Sequence, residues 1–101
     1  MILVITRMNV ISEKRRELSQ TIDSLSGITR MAKGCLRYDF CQSMEDENQL
    51  FLLEEWDIEE NLNAHLKSKH YKVIRGAMNL LKEPYEKTFY NVSHPVGIKE
   101  I

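Results

Sequence analysis

Apolar positions in this 101-residue chain change their period several times, and each change marks an element boundary. Residues 2–11 (ILVITRMNVI) concentrate β-branched and aliphatic side chains and predict a strand. Ser12 can cap a helix, and Leu18, Ile22, Leu25 and Ile28 recur at helical spacing as far as the neighbourhood of Met31. Gly27 weakens the later turns of that helix. Gly34 closes the helical region, after which residues 35–42 alternate, with Leu36, Tyr38 and Phe40 set against Arg37 and Asp39. The polar run 43–48 fits a hairpin connection into a strand over 49–56. Asp57, with Glu60 three residues on, has the pattern of a capping box, and Ile58, Leu62, His65 and Leu66 share one helical face. Ile74, Ala77, Met78 and Leu81 continue at similar spacing, so a further helical segment begins after a break near Ser68. Pro84 ends it, and residues 85–92 read as a last strand. The order is βαββαβ.

Both crossovers in that order contain a helix, and right-handed crossovers put both helices on one face of a single four-stranded sheet. The other face should then be polar, because a sheet half in water alternates cleanly. The first and third strands do not alternate: Ile2, Val4 and Met8 oppose Leu3 and Ile5, and Leu50 and Leu52 oppose Phe51 and Leu53. The pattern therefore predicts a second subunit over the open face, a homodimer with its sheets packed together.

Composition narrows the function classes. With 43% hydrophobic residues the chain can bury one modest core, expected over residues 1–92, with 93–101 as a C-terminal tail. Val96, Ile98 and Ile101 in that tail are able to cross onto a partner subunit, and His94 also falls there. A net charge of -1 supplies no basic field and argues against a nucleic-acid partner. No apolar run approaches the ~20 residues of a membrane span, and Met1 leads into Ile2-Leu3-Val4-Ile5 without the basic start of a signal peptide, so a cytoplasmic location is expected. Cys35 and Cys41 on one strand would lie roughly 20 Å apart, beyond the reach of about 7 Å that a disulfide needs. Two small buried thiols are expected instead. The absence of a CxxC pair and of histidines at i, i+4 argues against zinc.

The residues with chemical character form a cassette. Trp56 closes the strand 49–56, and His65 comes nine residues later on the predicted helix. The segments Lys33-Gly34-Cys35-Leu36-Arg37-Tyr38, Glu54-Glu55-Trp56 and Asn63-Ala64-His65-Leu66-Lys67-Ser68-Lys69-His70-Tyr71 together resemble the antibiotic biosynthesis monooxygenase family, over about residues 2–92. The resemblance implies a ferredoxin-like α+β monomer, a four-stranded antiparallel sheet with helices on one face, which pairs as a dimeric α+β barrel with a pocket between sheet and helices. Families of this kind include cofactor-free oxygenases of quinols and anthrones, haem-degrading enzymes, and isomerase-type enzymes acting on small phosphorylated signals or sugars. The haem branch has an asparagine where this chain has Thr6, a tryptophan where it has His65 and a ligating histidine where it has Arg75. Arginine stays protonated and cannot replace a neutral imidazole on iron. The resemblance thus favours an oxygenase with no cofactor and no metal, whose partners are a small aromatic substrate and O2.

His65 is the candidate catalytic base, since an imidazole with an ordinary pKa of about 6.5 accepts a proton near neutrality. A cofactor-free oxygenase must deprotonate its substrate so that the anion can reduce O2 by one electron, while holding it dry against an apolar wall. Trp56 and Tyr38 are candidates for that wall. Glu54, on the same strand face as Trp56 by parity, can orient His65 or a substrate hydroxyl, and Tyr71 can bond a substrate oxygen. Each has a plainer alternative: a core histidine bonded to a carbonyl, a glutamate paired with a lysine or arginine, and tyrosines packed with a wet tip. Lys67, Lys69, Lys72 and Arg75 support a different enzyme, in which Arg75 turns inward beside His70 and grips a phosphate. The same charge run reads more simply as a solvated helix face. A non-catalytic dimer that binds a small ligand is a third class, because a fold does not dictate a function.

Overall fold

The computed structural model describes residues 1–93 and 97. The expected contacts of His94, Val96, Ile98 and Ile101 lie outside the described residues. Strand β1 (Ile2–Asn9) leads through a 3-10 turn (Ser12–Lys14) into helix α1 (Arg15–Arg30), and then come β2 (Cys35–Gln42) and β3 (Gln49–Trp56). Helices α2 (Glu59–Leu66) and α3 (Lys69–Ala77) are next, then a 3-10 turn (Met78–Leu80) and β4 (Glu86–Asn91). The sheet order is β2-β3-β1-β4 with every neighbouring pair antiparallel. This is a ferredoxin-like α+β fold, in which the two helix-containing crossovers interleave β1 and β3 at the centre.

Strands β2 and β3 occupy the spans expected from the alternation over 35–42 and the polar connection before 49, and the break at Ser68 is present. The Ser68 hydroxyl accepts the Tyr71 N–H at 3.2 Å and caps α3. Three expectations change. Strand β1 stops at Asn9 because β3 supplies its last partner, Gln49, there, and Val10 makes only an isolated bridge to Leu81. Ser12 opens the 3-10 turn without a capping bond. Asp57 does not form a box with Glu60: its carboxylate accepts the Ile58 N–H at 2.6 Å and the Asn61 side chain at 2.9 Å, and Ile58 stands at the α2 N-cap.

The buried stripe of α1 is Leu18, Ile22, Ser26 and Thr29. Ile28, expected inside, is 54% exposed. Ser26 and Thr29 can take the inward positions because their hydroxyls donate to the carbonyls of Ile22 and Leu25, at 2.9 and 2.8 Å. The core lies between sheet and helices. One cluster joins Met8, Leu18, Ile22, Tyr38, Leu50 and Leu52, and a second joins Val4, Trp56 and Leu62. Cys35 and Cys41 are free and half-buried, less enclosed than expected.

Gly34 positions the site from a distance. It has φ +84°, and a Cβ there would run into the side chains of Asp57 and Asn61. Its carbonyl accepts the Asp57 N–H at 2.9 Å, which ties the end of the α1–β2 turn to the start of α2. On the sheet face away from the helices, Leu3, Ile5, Phe51 and Leu53 are half-buried. Charges rim them: the Arg7 guanidinium lies 5.6 Å from the Phe51 ring centre, and Arg37 pairs with Asp39 and Glu55 at 3.2 and 3.6 Å. Among the described residues no helix is long and apolar enough to cross a membrane.

Candidate functional site

Strand parity turns Glu54 and Trp56 toward the helices, and their neighbours on β3 obey the same rule. Trp56 is fully buried, and its indole Nε1–H donates to Glu54 Oε1 at 3.1 Å. Helix α2 lays the His65 ring over the indole, with centroids 4.8 Å apart and planes inclined by 25°. At the end of α2 the Ser68 hydroxyl donates to the His65 carbonyl at 2.6 Å while it caps α3, so the two short helices are joined at one atom. That joint brings His70 and Tyr71 against the His65 ring, at centroid distances of 5.5 and 5.2 Å.

The sheet supplies the floor. Tyr38 on β2 is the cross-strand partner of Glu54, and its side chain is buried. Thr6 on β1 is buried and faces Lys87 across the β1–β4 pair. The Lys87 ammonium donates to the Tyr71 hydroxyl at 2.6 Å and lies 4.5 Å from the centre of that ring. All four strands and both short helices thus contribute to one region.

Its electrostatics stem from dryness. His65 is 4% exposed and Glu54 is 2% exposed. Burial, seconded by the charges of His70 and Lys87, pushes the His65 pKa down to about 4, so the imidazole is neutral at pH 7. Burial pushes the Glu54 carboxyl up, against the opposing pull of Lys87 and of the Trp56 hydrogen bond. It also raises the Tyr38 phenol, helped by Glu54. Glu54 Oε1 stands 3.9 Å from His65 Nε2, close enough to feel its charge and too far for a hydrogen bond. Among the described residues, four buried polar atoms have no partner: Thr6 Oγ1, Tyr38 Oη, His65 Nδ1 and His70 Nε2. Buried polar groups are nearly always bonded, so these atoms have capacity left for a hydrogen bond to water or to another polar group.

Of the residues singled out in the sequence, the structure gathers His65, Trp56, Glu54, Tyr71 and His70, with Tyr38 on the adjoining strand. Arg75 is not among them. The buried face of α3 is set by Tyr71 and Ile74, which leaves Arg75 at its edge with its guanidinium in water. It lines a separate depression of about 490 Å³ with Met78, Lys82, Glu83 and Tyr85. Lys67, Lys69 and Lys72 are likewise exposed. Two members are not evident as site residues in the sequence. Thr6 stands out there only as a departure from the haem pattern, and Lys87 only as part of a last strand; its inward parity, shared with Phe89, is the available signal.

A groove of about 360 Å³ runs between α2 and β4, lined by Ile2, Leu62, Leu66, Phe89 and Tyr90 among others. Leu62 and Leu66 also pack on the Trp56 cluster, so one apolar partition separates the groove from the buried site. Among the described residues no three His, Cys, Asp or Glu side chains are grouped to hold a metal ion.

Comparison with known proteins bears on the family and the fold. The family model for antibiotic biosynthesis monooxygenases matches residues 1–77. A conserved protein of Methanosarcina mazei Go1 is 32% identical, with a TM-score of 0.84 over 88% of this chain and 89% of that one. The Rv0793 protein of Mycobacterium tuberculosis is 27% identical, with a TM-score of 0.88 over 95% and 98% of the two chains. A protein of Haloquadratum walsbyi named "putative heme-binding protein" is 32% identical over 73 residues, 71% of this chain. The chain spans only 14% of the length of that curated relative.

Proposed function

The chain belongs to the antibiotic biosynthesis monooxygenase family, and from that membership we propose that it is a cofactor-independent monooxygenase, oxidising a small quinol, anthrone or similar aromatic with O2. The observation that carries the proposal is the buried, neutral His65 imidazole, stacked on Trp56 with its Nδ1 unpartnered. Such a nitrogen is free to take a proton from a substrate O–H or activated C–H. Its low pKa does not forbid the transfer, because an oxyanion formed beside it favours the protonated ring again. Trp56 then serves as the flat apolar wall and excludes water.

For an anthrone-like methylene, His65 removes one proton, and the carbanion gives one electron to O2. The resulting radical and superoxide join through a new C–O bond. The imidazolium returns its proton to the peroxide, the O–O bond breaks, and loss of the remaining C–H proton leaves a carbonyl and one water. O2 is the only oxidant required.

A haem does not suit these residues. Arg75, standing where the haem branch has its ligand, faces water and cannot bind iron. The heme-binding name is that of the Haloquadratum protein and is not a property of this chain. The proposal extends to a homodimer closed over the apolar outer face of the sheet, and to a cytoplasmic setting, which suits the two free thiols.

The test is oxygen consumption by the purified protein with a panel of quinols and anthrones and no added flavin or metal. Uptake should occur, and His65→Ala should slow it by about 10²-fold or more. Absence of uptake across the panel, or an unimpaired His65→Ala enzyme, overturns the proposal.

A further inference from the structure

We propose that Lys87 is the oxyanion-recognising residue of this site, and that it holds the anion left when an acidic aromatic hydroxyl or enol has given up its proton. The substrate class rests on the oxygenase proposal above; the role of Lys87 as an anion receptor does not.

A lysine on an edge strand ordinarily keeps its head in water and discourages pairing with other chains. Lys87 behaves differently. Its register opposite Thr6 puts it on the helix side of the sheet, and its ammonium reaches inward to the Tyr71 hydroxyl. Tyr71 itself is buried. Among the described residues the ion pairs are made by Arg15, Arg37 and His65, and none by Lys87. The carboxyl that feels its charge, Glu54, is already bonded to the Trp56 indole.

A half-buried ammonium whose contacts are one neutral oxygen and a ring face is underused, since it carries three donors. It also has no carboxylate within ion-pair distance among the described residues. The surroundings are ready for a ligand with oxygen atoms, because Thr6 directly opposite has an unpartnered hydroxyl. Tyr71 adds to the anion site. With its oxygen accepting from Lys87, its own O–H is left to donate, and the bond from a cation strengthens it as a donor. Ammonium and phenol can therefore converge on a single negatively charged oxygen. Such an arrangement selects a substrate that ionises readily over a neutral aromatic of the same shape.

Trp56, the only tryptophan, reports occupancy of the site through its fluorescence. The probes are 2-hydroxy-1,4-naphthoquinone, an anion at neutral pH, and 2-methoxy-1,4-naphthoquinone, its neutral counterpart; each is titrated into wild type, Lys87→Met and Lys87→Arg. Wild type should bind the hydroxy compound about tenfold or more tightly than the methoxy compound, the usual weight of one charged hydrogen bond. Lys87→Met should abolish the preference while keeping the methoxy affinity, which also shows that the site is intact. Lys87→Arg should retain it. Equal affinities in wild type, a preference that survives Lys87→Met, or no response to either compound overturns the inference. Both probes are already quinones and consume no O2. Loss of oxygen uptake with the preference intact would therefore sink the oxygenase proposal alone, and the converse result would sink Lys87 alone.

Discussion

Burial holds the His65 imidazole neutral well below its ordinary range, and this has a measurable sign. The ring titrates at about 4 in the folded protein against 6.5 in the unfolded chain. Between those values the unfolded chain binds the extra proton, so the stability His65 contributes is complete above pH 6.5 and is lost as pH falls toward 4. The contribution is on the order of 3 kcal/mol. Glu54 works in the opposite sense: its raised pKa means the folded chain keeps a proton that the unfolded chain releases as pH rises. The expected outcome is an imidazole NMR titration centred near 4 for His65. The stability difference between wild type and His65→Gln should also grow with pH across that window and level off above it. A midpoint near that of a solvent-exposed histidine would show that the ring is not held dry.

The elements place that ring through two small devices, the Gly34 turn and the Ser68 joint. Gly34→Ala should cost about 1–3 kcal/mol in urea unfolding, because the backbone is in the left-handed region and the new methyl meets Asp57 and Asn61. Gly27→Ala provides the contrast. It lies in the exposed face of α1 with no atom near a new Cβ, and should gain about 0.5–1 kcal/mol. If both substitutions behave alike, the junction does not have the rigidity assigned to it. Helix α1 also shows why spacing alone misplaces its face: Leu18 and Ile22 are compatible with either Leu25–Ile28 or Ser26–Thr29 as the continuation. The polar pair turns inward because each hydroxyl finds a carbonyl one turn back.

At the scale of the molecule, the outer sheet face is the exposed consequence of strands that are apolar on both parities. Leu53 sits at its centre, opposite Ile5 on one side and Asp39 on the other. Under the homodimer proposal, wild type should sediment as a dimer, and Leu53→Lys should sediment as a monomer with an unchanged circular-dichroism spectrum. A monomeric wild type at micromolar concentration would remove the second subunit. A lysine there would bury its charge against the partner's apolar sheet, a cost the folded monomer does not bear.

Local pattern alone determined the element order, the spans of β2 and β3, the break at Ser68, and the sharing of one strand face by Glu54 and Trp56, because each depends on a period or a capping group written within a few residues. It also placed His65 on the inward face of α2. Tertiary structure decided which neighbours the ring would have. Register between β1 and β4 brought Lys87 opposite Thr6, the rotation of α3 delivered His70 and Tyr71, and the same rotation left Arg75 in water. Those outcomes depend on contacts between segments far apart in the chain, and an edge strand with mostly exposed residues gives little local indication of which face it turns inward.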